Sequence, residues 1–309
     1  MNYTLNQLKI FLKVAELQSV TKAAEELYLT QPAVSIQLKK FQDQFEIPLT
    51  EVVGRKLYVT DFGKEVIVSV QKILSELEII DNKTKSFKGI LTGRIKIASA
   101  STGKYVMPYF LSDFLRQHSG IDLVMDVTNK NLVVKSLEQN EVDFALVSVK
   151  PDHLKLNEVQ LVQNKLYLVG GTVIKRNPKT SIRKLLERHP LLFREFGSAT
   201  RDAMEQFIAK EKLPIFKKIE LTSNEAVKQA LIAGLGYTVM PLIGLKNELK
   251  SGDLEIIPYK GLPIITHWKL VWLSSKNLSP AAEAYLDFVK LEKNRIIHEL
   301  FEWFENYSG

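Results

Sequence analysis

Residues 19–45, SVTKAAEELYLTQPAVSIQLKKFQDQF, constrain the fold most tightly, because they spell two short helices joined by a tight turn. Ser19 or Thr21 is placed to cap the first helix, Ala23 and Ala24 let a neighbouring helix approach closely, and Leu27 closes its apolar face. After Tyr28 and Leu29, Thr30 offers a second N-cap, and Pro32 falls in a first helical turn, where its missing N–H costs nothing. A second helix therefore begins near Gln31. On it Val34, Leu38, Phe41 and Phe45 recur at intervals of 4, 3 and 4 and form a packing stripe, whereas Gln31, Ser35, Lys39 and Gln42 share a neighbouring polar face. Such side chains donate to phosphates or bond base edges, and a helix of this width fits a major groove. A solvated polar face is the bland alternative for a helix taken alone.

The surrounding residues decide between the two. The pattern T-x-A-A-x-x-L-x-x-T-Q-P-A-V-S-x-Q-L at 21–38 resembles the helix-turn-helix signature of LysR-type transcriptional regulators. Leu5, Leu8, Phe11, Leu12 and Ala15 match the apolar face of that family's first helix, and Ile47-Pro48-Leu49, Gly54-Arg55-Lys56, Val59-Thr60 and Gly63 resemble its two-stranded wing and the entry to its linker helix. The resemblance implies that Gln31, Pro32 and Ser35 approach base edges while Ser19, Lys39, Arg55 and Lys56 hold phosphates. Four positions depart from the pattern: Glu46 where Gly is usual, Thr50 for Phe, Val52 for a wing Arg, and Ile36 at a site often basic or polar. Losing cationic contacts should lower the salt dependence of binding and shift work onto Lys39, Lys40, Arg55 and Lys56.

The formal charge of +7 and a pI near 9.2 favour an anionic partner. Residues 1–60 nevertheless hold seven basic against six acidic residues, so the placement of charge must make the contact surface. Zero cysteines exclude disulfides and thiolate chemistry. Lys9 and Lys13 interrupt any N-terminal apolar run, and no stretch is apolar for about 18 residues, so no membrane role and a cytoplasmic location are expected.

From Phe62 the period changes. Val66, Val70, Ile73, Leu77, Ile80, Thr84 and Phe87 are spaced 4, 3, 4, 3, 4 and 3, a heptad seam that fits a partner helix better than a globular core, simple packing on its own domain being the alternative. Pairing would present two recognition helices to a palindromic operator in double-stranded DNA. In the LysR family this helix pairs antiparallel and tetramers are common, so the resemblance implies a homodimer that assembles into a homotetramer.

Residues 86–93, SFKGILTG, end that helix. Beyond them strand-like segments Arg94–Ser99, Ile121–Thr128, Val142–Val147, Leu166–Val169, Leu191–Arg194, Ile219–Thr222, Tyr237–Met240 and Trp268–Leu273 alternate with helical runs. The expected fold class is α/β preceded by an all-α winged helix-turn-helix domain. The expected organisation is 1–60 for DNA binding, 61–89 for the linker and dimerisation helix, and 90–309 for the effector domain. Resemblance implies two lobes like those of type 2 periplasmic binding proteins, lobe I about 90–163 and 267–309 and lobe II about 164–266; periodicity alone also allows one larger sheet.

In open α/β sheets ligands bind beyond the carboxyl ends of strands. Here those ends carry hydroxyls: Ser99, Ser101, Thr102, Thr128, Ser148, Ser198 and Thr200. The run S-A-S-T-G leads into a helix, whose N-terminus favours a carboxylate or phosphate, although each residue alone could be a plain cap. Lys104-Tyr105, Gly120-Ile121-Asp122, Val127-Thr128-Asn129 and Asn140-Glu141-Val142-Asp143 resemble the branch containing Calvin-cycle regulators. That implies a carboxylate or phosphorylated metabolite as effector, no cofactor, and Lys104 and Arg201 as charge partners. The five histidines lie at no metal-ligand spacing, and no P-loop, G-x-G-x-x-G or G-x-S-x-G occurs, so an enzyme is not expected and no metal site is assigned. A solute-binding protein would need an export signal and no helix-turn-helix, and an architectural DNA binder a denser basic surface.

Overall fold

The computed structural model describes residues 2–54, 56–86, 91–177 and 180–307, which form two compact units, Met1–Ile90 and Leu91–Gly309. In the first, α1 (Leu5–Leu17) opens on a reciprocal capping box: Gln7 N donates to Thr4 Oγ1 at 3.3 Å and Thr4 N to Gln7 Oε1 at 2.8 Å. Ser19 caps α2 (Val20–Glu26) and Thr30 caps α3 (Gln31–Gln42), each accepting a backbone N–H of the first turn. The three helices bury Phe11, Val14, Ala23, Val34 and Phe41 between them. An antiparallel wing follows, β1 (Thr50–Val53) with β2 (Lys56–Val59), and then α4 (Asp61–Ser86).

The heptad seam on α4 is divided in its use. Val70 is 2% exposed in the helix-turn-helix core, so its reading as partner-facing is corrected: its own domain covers it, with the half-buried Val66 packed alongside. The phase is the same, but α1 crosses the first turns of α4 and takes them. Ile73, 40% exposed, the half-buried Leu77 and the exposed Ile80 lie beyond that cover. The side chain of Thr84 and the whole of Phe87 lie outside the described residues.

The second unit is α/β. Its ladder runs β4-β3-β5-β11-β6-β9-β7-β8, with β10 on β6. One half contains β3 (Thr92–Ala100), β4 (Gly120–Thr128) and β5 (Phe144–Val147), mutually parallel, with α5 (Met107–Gln117) and α6 (Lys130–Glu138). The other contains β7 (Leu191–Arg194), β8 (Lys218–Leu221), β9 (Tyr237–Pro241) and β10 (Leu254–Ile256), with α7 (Ile182–Leu186), α8 (Ala199–Glu211), α9 (Asn224–Ile232) and α10 (Lys246–Ser251). Two long strands pass between the halves: β6 (Leu156–Gly171) pairs with β11 (Ile264–Leu273) antiparallel from Leu156↔Leu273 to Leu166↔Ile264, then turns to β9 and β10. Two halves and one continuous ladder thus coexist.

The sequence segment Leu166–Val169 is only the distal part of β6. Its proximal part alternates polar and apolar residues because one face meets water, where Glu158 pairs with Lys269 at 2.7 Å and Lys150 at 3.2 Å. The chain closes with α11 (Pro280–Glu305), capped by Ser279 and buried through Tyr285, Val289, Ile296, Phe301 and Phe304. Where β6 crosses between the halves, the buried Lys165 donates to the last carbonyls of α11, Phe304 O at 3.1 Å and Glu305 O at 2.6 Å, a cation set at the negative end of a helix.

Candidate functional site

On α3, Val34, Leu38 and Phe41 fill the core and leave Gln31, Pro32, Ser35 and Lys39 exposed on one side, with Ile36, 54% exposed, beside them. Lys56 is exposed on the wing, and Arg55 lies outside the described residues. Ser19 is half-buried and already accepts from Lys22 N at 3.3 Å, so its hydroxyl is engaged as a cap. Gln42 does not share the free face: its Oε1 accepts from Thr50 N at 3.1 Å and Thr50 Oγ1 at 2.6 Å. The helix end turns that side chain inward, where it satisfies the first amide of the wing and sets the wing against the reading helix. Gln37 is likewise engaged, accepting from Gln7 Nε2 at 3.2 Å.

The second candidate site lies where the carboxyl ends of β3, β4, β5 and β7 face one another. Ser101 is at its centre. The Ser101 hydroxyl oxygen accepts from Arg194 Nη1 and from Asn224 Nδ2, both at 2.9 Å, and so joins the two halves. Arg194 is 4% exposed at the end of β7, and its remaining nitrogens grip Glu195 in a fork, Nε to Oε2 and Nη2 to Oε1 at 2.8 Å each. Asn224 is as deeply buried, and its Oδ1 has no partner among the described residues. The helix α9 that Asn224 opens is capped by Ser223, whose hydroxyl accepts from Ala226 N at 3.1 Å.

Further contacts hold the halves together at this edge. Asn131 N, at the start of α6, donates to Gly197 O at 3.3 Å, and Lys130 pairs with Asp202 at 2.9 Å. Gly197 has φ +87°, and a Cβ there would sit 2.8 Å from the Asn131 amide, so glycine permits both the turn and the approach. Ser198 is buried before α8 and makes no side-chain cap bond, and Thr200 is half-buried in the first turn of that helix. Thr128 and Ser148 are half-buried at the ends of β4 and β5, and Thr102 is buried. Ser99 is sealed under the short 3₁₀ helix Ser101–Tyr105: it donates to Ala100 O at 3.1 Å, and a Cβ on Gly103 would lie 2.2 Å from its oxygen. Of these hydroxyls, Ser101 is the one bonded across to the other half of the unit.

Neither proposed charge partner faces the cleft free. Arg201 is bound to Glu220 at 2.6 Å, Glu205 at 3.0 Å and Arg194 O at 3.0 Å, and the Glu220 bond raises its pKa further despite partial burial. Lys104 pairs with Glu225 at 3.2 Å. Burial pushes the Glu225 carboxyl up, but hydrogen bonds from the Tyr105 hydroxyl, Lys228 and Lys104 outweigh it and hold its pKa at about 2. The cation at the cleft is Arg194, which the sequence does not mark because a strand-end arginine carries no periodic signal.

Residues 88–293 match the LysR substrate binding domain, and residues 5–64 match the bacterial regulatory helix-turn-helix protein of the lysR family. The chain belongs to the LysR family. Like its relatives in that family, it is a DNA-binding transcriptional regulator with an effector-binding domain and not an enzyme. It is 36% identical to the RuBisCO operon transcriptional regulator of Allochromatium vinosum, over 96% of this chain and 98% of that one. With the transcriptional activator CmpR of Synechocystis it shares 34% identity over 93% of this chain and 95% of that one. Among solved structures, the CcmR regulatory domain of Synechocystis PCC6803 in complex with 2-PG superposes with a TM-score of 0.61 at 29% identity, covering 65% of this chain and 98% of that one. The fold and branch expected from the sequence are those of these relatives. No helix among the described residues is long and apolar enough to cross a membrane.

Proposed function

We propose that this LysR-family regulator binds a small carboxylate or phosphate between the halves of its effector unit, and that this occupancy sets the spacing of its recognition helices on a palindromic operator. The observation that carries the reading is the Arg194 guanidinium, buried at a strand end, bonded across the cleft to Ser101 and beside the uncapped start of α8. A buried cation and a helix N-terminus converging on one opening suit an anion. Glu195 supplies the anionic partner of Arg194; an incoming oxyanion would share or take that fork, with Ser101, Thr128, Ser148, Ser198 and Thr200 as hydroxyl partners. Since CcmR holds 2-PG, that compound is the first to test.

We assign residues 1–60 to DNA, 61–89 to pairing and 90–309 to sensing, in a cytoplasmic homodimer that assembles into a homotetramer. Gln31, Pro32 and Ser35 read bases, and Lys39, Arg55 and Lys56 hold phosphates. Binding energy must differ between two assembly states for the effector to act. A thermal-shift screen of 2-PG and other carboxylates and phosphates tests the cleft: a ligand at 100 times its Kd adds about 2.7 kcal/mol, and an Arg194→Gln variant should lose that shift. A shift retained by the variant refutes the role of Arg194. For the DNA surface, Ser35→Glu should abolish operator binding in footprinting with unchanged circular dichroism; an unchanged footprint refutes it.

A further inference from the structure

A second opening lies on the effector unit, apart from the cleft. It is a cavity of about 420 Å³ enclosed by the 3₁₀ helix Ser101–Tyr105, the loop leading into α10 and residues 300–303 of α11. That volume is within the range of small-molecule sites, roughly 300–1,000 Å³. Three ammonium groups line it, those of Lys104, Lys228 and Lys246. Two carboxylates answer them: Glu248 in the wall pairs with Lys228 at 2.8 Å, and Glu225 beside it pairs with Lys228 at 3.1 Å and Lys104 at 3.2 Å. The local balance is therefore one positive charge. Lys246 makes no ion pair among the described residues; its Nζ stands 5.0 Å from the centre of the Trp303 ring. Cation–π contact of that kind is worth about 0.5–1 kcal/mol at an exposed site and puts no hydrogen-bond acceptor on the ammonium group.

The rest of the wall is aromatic. Tyr105, Tyr109 and Trp303 face the opening, with Phe301 edge-on to Tyr109 at 5.2 Å. Tyr105 is held against the other half of the unit, since a Cβ on Gly244 would lie 2.8 Å from its ring and its hydroxyl donates to Glu225. Flat apolar walls and a surplus ammonium define a complementary ligand: a planar ring for the aromatic faces and an anionic group for Lys246.

We propose that this cavity is a second ligand site, for a small anion carried on a flat ring, an aryl carboxylate or an aryl phosphate. It goes beyond the cleft reading and does not require it, because none of its groups is Arg194, Ser101 or the start of α8. The test is calorimetric and fluorescence titration of the full-length protein with benzoate and phenyl phosphate, with inorganic phosphate and benzyl alcohol as the charge-only and ring-only probes. At least one ring-bearing anion should bind saturably about tenfold or more tightly than both controls, and whichever does identifies the anionic group. Lys246→Gln, at an exposed position where the fold is not at stake, should weaken that binding at least about fivefold. Trp303→Phe should remove the fluorescence change, since Trp268 and Trp272 are buried elsewhere. Absence of saturable binding by either ring anion below about 10 mM, equal binding of inorganic phosphate, or a loss below fivefold in Lys246→Gln overturns the assignment. Loss of the cleft ligand in Arg194→Gln alone would leave it standing.

Discussion

Replacing Ser101 by Ala deletes one oxygen that accepts from two buried donors in the opposite half of the effector unit. The guanidinium–hydroxyl bond is of the charged class, about 1.5–3 kcal/mol, and the amide–hydroxyl bond of the neutral class, about 1 kcal/mol. Arg194 retains Glu195, whereas Asn224 loses the one side-chain partner it has among the described residues. The net cost is about 2–4 kcal/mol. All three tryptophans, Trp268, Trp272 and Trp303, belong to residues 91–309, so tryptophan fluorescence reports the unfolding of this unit without interference from the DNA-binding unit. With a urea slope of roughly 3 kcal/mol/M, the midpoint should fall by about 1 M. Asn224→Ala alone should cost about 1–2 kcal/mol. In its background Ser101→Ala should cost less than in the parent, because the shared bond is already gone. A Ser101→Ala loss below about 0.5 kcal/mol, or strict additivity of the two substitutions, would show that these bonds do not join the halves in solution.

Lys165→Met preserves most of the side-chain volume but leaves the Phe304 and Glu305 carbonyls without their cation; it should cost about 2–3 kcal/mol and speed amide hydrogen exchange in residues 301–305 more than elsewhere in α11. The depressed Glu225 carboxyl gives a pH window. Its folded pKa of about 2 lies below its ordinary 4.5, so its contribution is fully present above about pH 4.5 and is lost as the pH falls toward 2. Glu225→Gln should flatten the acid limb of a stability profile only within that window. On the linker helix, Ile73→Glu or Leu77→Glu should convert dimers to monomers in sedimentation velocity while leaving circular dichroism unchanged, whereas Val70→Glu should unfold the DNA-binding unit, because Val70 is buried inside it.

Periodic features were readable in the sequence. Leu191–Arg194 occurs as a strand with the bounds its pattern suggests, since three consecutive apolar residues between turns are a local signal. Features fixed by what lies across a gap were not readable. The heptad phase could not tell that Val66 and Val70 serve their own domain, because that depends on where α1 crosses. Gln42 reads as one more polar residue of α3, but the unpaired amide of Thr50 decides its direction. A serine before a helix can cap it, lie sealed like Ser99, or stand between two halves like Ser101, and only the fold distinguishes these. Arg194 belongs to the same class: its importance comes from burial and from a hydroxyl 93 positions away in the chain.

The five residues from Ser101 to Tyr105 touch both openings of the effector unit. Their first side chain meets Arg194 and Asn224, and their last two reach Glu225, the immediate neighbour of Asn224. At about 2 Å of rise per residue, the 3₁₀ helix separates the two by only about 6–8 Å. Whatever free energy an occupant of one opening transmits through this short rod must be returned in equal measure by an occupant of the other.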